Sequence, residues 1–231
     1  MIDKKPVCII PARSGSKRLK NKNIIKISNI PVIAYVIKTA LRSNIFSKVI
    51  VTTDDKKIAS IAKKNGAFVP FIREKKFAKS SSSMKDALKD CIKKIRTYNN
   101  YYHFCIFPTA ILITKQDLQK AFLKIKREKA DGLIAVVDNK SFYRSLIYNT
   151  RSREINYKWK RFSKTMSQNL PQAFTDSGTF YIFRTKKYLS SQSNIPKRTV
   201  PYVIDKYKGI DVNTKEDLKI LKIAKEKFFR K

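Results

Sequence analysis

The chain of 231 residues predicts a wound α/β fold with a mainly parallel sheet. Short apolar runs alternate with stretches whose apolar residues recur at helical spacing. The first apolar run stops at a proline and opens into a small, strongly basic turn. A hydrophobic content of 42% over this length suits one well-cored domain, read here as residues 1–231 with an excursion at 139–178. In such sheets ligands gather beyond the carboxyl ends of the strands.

The elements follow in order. Val7-Cys8-Ile9-Ile10, between Pro6 and Pro11, reads as a buried strand. The turn after it, Pro11-Ala12-Arg13-Ser14-Gly15-Ser16-Lys17-Arg18, carries little bulk around Ser14, Gly15 and Ser16, so its amides can approach an anion. Arg13, Lys17 and Arg18 add charged donors for phosphate oxygens. It has neither a Walker ending nor a dinucleotide fingerprint, and by chemistry alone it is equally a solvated turn in a lysine-rich chain. Pro31 opens a helix with Val32, Ile33, Val36, Ile37, Ala40 and Leu41 on one face. Residues 49–51 form a strand with Thr52-Thr53-Asp54-Asp55 as its exit. A helix burying Ile58, Ile61 and Ala62 ends in a cationic turn and Gly66, and 68–72 reads as another strand.

The serine run 80–83 leads into a helix with Met84, Ala87, Leu88, Cys91, Ile92 and Ile95 inward, Ser83 being a cap first and a ligand contact second. Residues 104–107 suit a central strand. Thr114 and Asp117 start a capped helix burying Leu118, Ala121, Phe122 and Ile125, followed by a strand at 133–137. From residue 139 the rhythm breaks into an irregular, aromatic-rich segment. A strand returns at 179–183, and Thr214 to Asp217 cap a last helix with Leu218, Leu221, Ala224 and Phe228 inward.

The formal net charge of +35 attracts any polyanion, but lysines occupy the polar faces of all the candidate helices rather than one stripe or tail. Specific nucleic-acid binding is therefore not expected. The three cysteines, Cys8, Cys91 and Cys105, sit in apolar runs without metal-ligand spacing and read as buried thiols, and a lone His103 cannot build a zinc site. No apolar leader or membrane-length run is present, so a cytoplasmic enzyme without a membrane partner is expected.

The basic turn, with Lys22-Asn23-Ile24 after it, resembles the N-terminal signature of the acylneuraminate cytidylyltransferases, and the resemblance runs nearly unbroken to the last helix. That family makes CMP-activated nonulosonic acids. The resemblance implies a three-layer, Rossmann-like sheet of the nucleotide-diphospho-sugar transferase type, a homodimer built on the 139–178 excursion, CTP and a nonulosonic acid as substrates, and Mg2+ as cofactor. It carries catalytic roles onto Arg13, Lys17 and Asp211. The nucleotide pocket falls on Ala12, Arg13, Ser14, Gly15, Ser16 and Lys17, on Lys22 and Asn23, and on Arg73, Ser83 and Thr109.

For the sugar, the resemblance selects Gln168, Asp176, Gly178, Thr179 and Phe180. Ser167-Gln168-Asn169-Leu170-Pro171 is similar to the family's Arg-Gln-Asp-Leu-Pro, with the cation and the carboxylate replaced. Asp176-Ser177-Gly178-Thr179-Phe180-Tyr181 stands nearer the pseudaminic-acid branch than the sialic-acid branch. Phe107 occupies a position where the family commonly has glutamine.

The metal position departs further. Ile210-Asp211-Val212-Asn213-Thr214 resembles Ile-Asp-Ile-Asp-Thr, whose two carboxylates hold magnesium; alternation places 211 and 213 on one face. Asn213 keeps an oxygen and loses the charge. Either Asp211 and the triphosphate suffice, with weaker metal affinity, or the enzyme is impaired; Asp211 is also readable as an ordinary helix-start residue. A catalytically weak nucleotide-binding homologue and a basic nucleic-acid-binding protein stand as the other readings. The leading one requires the basic turn and Asp211 to converge on one nucleoside triphosphate.

Overall fold

The computed structural model describes residues 5–16, 18–78, 82–97, 99, 101–193 and 195–228, the last without its side chain. Its strands are β1 (Val7–Pro11), β2 (Lys26–Ile27), β3 (Ile30–Pro31), β4 (Lys48–Thr52), β5 (Tyr102–Ile106), β6 (Gly132–Asp138), β7 (Leu146–Asn149), β8 (Glu154–Tyr157), β9 (Phe174–Arg184) and β10 (Thr199–Val203). Its α-helices are α1 (Val32–Arg42), α2 (Lys56–Lys64), α3 (Met84–Lys94), α4 (Lys115–Arg127), α5 (Thr185–Ser190) and α6 (Lys215–Phe228).

Six strands form the central sheet in the order β10-β6-β9-β5-β1-β4. β4, β1 and β5 run parallel, as do β6 and β10, while β9 lies antiparallel between β5 and β6. Period-two alternation sorts the side chains onto two faces. Cys8, Ile10 and Phe104 join α1, α2, α4 and α6 in one buried cluster. Val7, Ile9 and Cys105 join α3 and α5 in the other, giving three layers. The chain leaves β1 first towards β4 and later returns to its other side as β5, so β1 is the switch point at which a crevice opens.

Caps behave as their sequences demand. Asp55 accepts from the Ile58 amide, Ser83 from Asp86, and Thr114 with Asp117 completes a capping box. Thr214 accepts from the Asp217 amide at the start of α6. Gly66 takes a φ of 90° where α2 ends, a conformation that a side chain resists.

Several elements differ from expectation. Residues 68–72 make only two isolated parallel bridges, Ile50 to Phe68 and Thr53 to Ile72, because Pro70 lacks a ladder donor. Leu41 stays 40% exposed over Gly66. β9 begins at Phe174, earlier than the apolar run suggests. β10 has no counterpart in the sequence reading: Pro201 weakened its strand signal, and its place at the sheet edge tolerates the missing N–H. The excursion is a β7–β8 hairpin braced by Phe142 against Trp159 and Tyr143 against Phe162, at 4.5 and 4.7 Å between ring centroids. Among the described residues no helix is long and apolar enough to cross a membrane.

Candidate active site

A cleft of about 690 Å³ opens at the carboxyl ends of β1 and β5. The turn after β1 supplies Arg13, Ser16 and Arg18, and the 3₁₀ turn Lys22–Ile24 supplies Lys22 and Asn23. The Asn23 amide donates to the Arg13 carbonyl at 2.8 Å, tying these two pieces together. Across the cleft, Asp211 and Asn213 come from the extended segment before α6. The Asn213 Oδ1 accepts from Arg18 Nη2 at 2.8 Å and Lys22 Nζ at 3.3 Å, while its Nδ2 donates to Asp211 Oδ2 at 2.7 Å. The two ends of the chain therefore meet in one site. Lys17 lies outside the described residues.

Other walls carry different chemistry. Ser83 lines the cleft and caps α3 at once. Thr109 follows β5, beside Phe107, whose ring meets Tyr181 edge-on at 5.4 Å. Arg73 lines the cleft while only 4% exposed; burial pushes its guanidinium pKa down, against the opposing pull of Asp54. The Lys22 ammonium is lowered by burial too, offset by Asp211. Partly buried cations facing a cavity are suited to an anionic guest, which restores the neutralisation that water otherwise supplies.

Asp176 and Tyr181 share the cleft although they stand five positions apart on one strand, where strict alternation would put them on opposite faces. Gly178, at φ 60°, breaks the alternation, and β9 bulges between Asp176 and Tyr181, opposite Ile134 and Val136 of β6. Tyr181 then donates to Asp176 Oδ2 at 2.6 Å, and the Gly178 amide donates to Oδ1 at 2.9 Å. Burial and this bond push the Tyr181 phenol pKa up, keeping it a donor. A Cβ on Gly178 would stand 3.1 Å from Asp211 Cγ, so the glycine also admits Asp211 to the wall.

The remaining positions fall elsewhere. Ala12 is fully buried, donating its amide to the Thr52 carbonyl at 3.0 Å. Ser14 and Gly15 are exposed at the rim, with Ser14 held by Asp54. Thr179 and Phe180 correct the expectation of sugar-facing side chains: Thr179 bonds Ser177 inside the protein at 2.7 Å, and Phe180 belongs to the core beside Tyr202. The bulge that turns Gly178 and Tyr181 into the cleft turns these two away. Gln168 is exposed in a 3₁₀ turn, bonded to Met166 and absent from the cleft walls.

Asp54 is the residue that sequence reasoning passed over. It was legible only as a strand exit, and nothing in Thr-Asp-Asp announces that the carboxylate reaches the basic turn. Although burial pushes it up, the Ser14 hydrogen bonds and the Arg73 charge hold the Asp54 carboxyl below its usual range.

A family model described as "Cytidylyltransferase" matches residues 7–231. The chain belongs to that family. Over 95% of both chains it is 32% identical to a pseudaminic acid cytidylyltransferase of Campylobacter jejuni. It is also 30% identical to a CMP-N,N'-diacetyllegionaminic acid synthase of the same species, over 93% of this chain and 92% of that protein. Among solved structures, a CMP:2-keto-3-deoxy-manno-octonic acid synthetase complexed with CTP superposes with a TM-score of 0.72 over 97% of this chain and 99% of that one; at 17% identity the likeness is one of fold. The cytidylyltransferase family places this chain among the nucleotidyltransferases, with a site at the switch point of its sheet.

Proposed function

We propose that the protein transfers CMP from CTP to a nine-carbon sugar acid of the pseudaminic type, releasing pyrophosphate. One observation carries the reading: in a chain of this family, Arg18 of the basic turn and Lys22 of the 3₁₀ turn after it meet the Asp211–Asn213 pair across a single cleft. A hydroxyl oxygen of the sugar acid bonds to the α-phosphorus of CTP as the bond to the pyrophosphate oxygen breaks. The protein's part is positioning and charge neutralisation. Arg13, Arg18, Lys22 and Arg73 receive the triphosphate, with Lys17 assigned there by the family motif. Ser16, Asn23, Ser83 and Thr109 provide polar contacts around it, and Asp176, Gly178 and Tyr181 line the sugar side.

Magnesium fits this donor set through Asp211, since one carboxylate completed by substrate phosphates is a usual arrangement. Asn213 fits less well, because its oxygen already accepts from Arg18 and Lys22. When bound, the ion would neutralise phosphate charge. Among the described residues no group of three or more acidic, histidine or cysteine side chains stands ready to hold a metal unaided.

Two further parts of the reading concern setting. The β7–β8 hairpin presents Leu146, Tyr148, Ile155 and Tyr157 on one face, all at least 41% exposed, and a second copy of the chain is assigned to cover it. Three free, buried thiols support a reducing, cytoplasmic location.

The test is pyrophosphate release across nucleotides and sugar acids. CTP with pseudaminic acid is expected to give the highest kcat/KM, and Asp211→Ala to lower it at least about a hundredfold. No pyrophosphate release with any of the sugar acids, while CTP still binds, replaces this reading by a nucleotide-binding homologue without turnover.

A further inference from the structure

Asp54 lies just past the end of β4 and behind the cleft rather than on its wall. Its Oδ1 accepts the Ser14 amide at 2.9 Å, and its Oδ2 accepts the Ser14 hydroxyl at 2.6 Å. The same Oδ1 stands 3.7 Å from Nη2 of Arg73, whose side chain is 3% exposed. Arg73 Nε is buried without a hydrogen-bond partner among the described residues, so the guanidinium is not saturated by the protein. The backbone repeats the arrangement: Ala12 N–H donates to Thr52 and Arg73 N–H to Thr53, at 3.0 and 2.7 Å. The end of β4 thus grips the basic turn on one side and Arg73 on the other.

A carboxylate here opposes an anionic guest by simple Coulomb repulsion. Its usefulness must therefore come through the groups it holds. We propose that Asp54 is a positioning residue for the triphosphate, fixing the Ser14 turn and the Arg73 guanidinium in one relation so that both meet the same polyphosphate. The proposal rests on the CTP reading above. It assigns Asp54 no contact with substrate and no part in the bond exchange.

The experiment titrates CTP and inorganic tripolyphosphate calorimetrically into the full chain and into D54A, D54N and S14A, with steady-state kinetics alongside. D54A is expected to weaken both ligands and raise KM for CTP about tenfold, leaving KM for the sugar acid unchanged and kcat within about threefold. D54N keeps an acceptor for the Ser14 amide and should recover part of that loss; S14A removes only the hydroxyl bond and should cost about threefold. Should D54A fail to fold, D54N and S14A carry the comparison, with thermal unfolding confirming that each is native. Native variants that bind within twofold of the parent, or more tightly, overturn the proposal and leave the CTP reading standing. A parent that binds neither CTP nor tripolyphosphate removes both.

Discussion

Asn213 concentrates the chemistry of the site in one side chain. Its amide joins Arg18 and Lys22 on one side to Asp211 on the other, so it works as a bracket between opposite charges. A carboxylate there would strengthen the two cation contacts and offer magnesium a second charged ligand. Asn213→Asp should therefore lower the magnesium concentration for half-maximal turnover by about tenfold. Titrating turnover with magnesium checks this, and an unchanged midpoint would show that Asp211 with the phosphates already suffices. At this scale the sequence was partly legible. The motif around 210–214 pointed to a ligand pair, but the partners of Asn213 come from the other end of the chain. Thr179 and Phe180 turn into the protein for a local reason: Gly178 at φ 60° reverses which side chains face the cleft, whereas a sequence pattern assumes regular alternation.

Among the described residues, those of the β7–β8 hairpin strands are all exposed. Leu146 pairs with Tyr157 and Tyr148 with Ile155, so all four apolar side chains share one face. A two-stranded ribbon is marginal alone, and exposed apolar rings and branches on it call for a partner surface. If the proposed dimer forms, the double variant Leu146→Lys, Ile155→Lys is expected to weaken self-association at least about thirtyfold, leaving monomer in light scattering at micromolar concentration. A parent chain that is already monomeric there would remove the dimer. The hairpin was invisible in the sequence because its strands are only four residues each and its arginine-rich turn carries no glycine. β10 escaped similarly, through Pro201, whereas the helices were readable because caps and 3.6-residue spacing agree with burial on one face.

For the molecule as a whole, stability depends on pH through a group far from the cleft. His103 is wholly buried on β5 between the hydroxyls of Thr97 and Thr185, at 2.9 and 2.7 Å, and burial lowers its pKa to about 3. A folded pKa below the unfolded value near 6.5 means that the unfolded chain binds the extra proton first, so stability falls as pH drops below about 6.5. Between pH 7 and 4.5 this one group should cost about 2 kcal/mol. Urea unfolding at both pH values, for the parent and for His103→Gln, should show that the variant lacks this part of the slope; equal slopes would overturn it. The +35 charge, by contrast, is spread over every helix and predicts nonspecific, salt-sensitive adhesion only.

The sequence alone determined the alternation of strands and helices and the cationic chemistry of the first turn, because strand runs, amphipathic spacing and caps are local, while the chemistry of 210–214 was legible only through the family motif. Tertiary structure decided which of those residues share a cleft. Arg18 and Asn213 are 195 residues apart, and only the winding of the sheet about β1 brings them within hydrogen-bond distance. It also decided what the bulge in β9 presents and what the hairpin leaves bare, since both depend on contacts between strands that no single segment encodes.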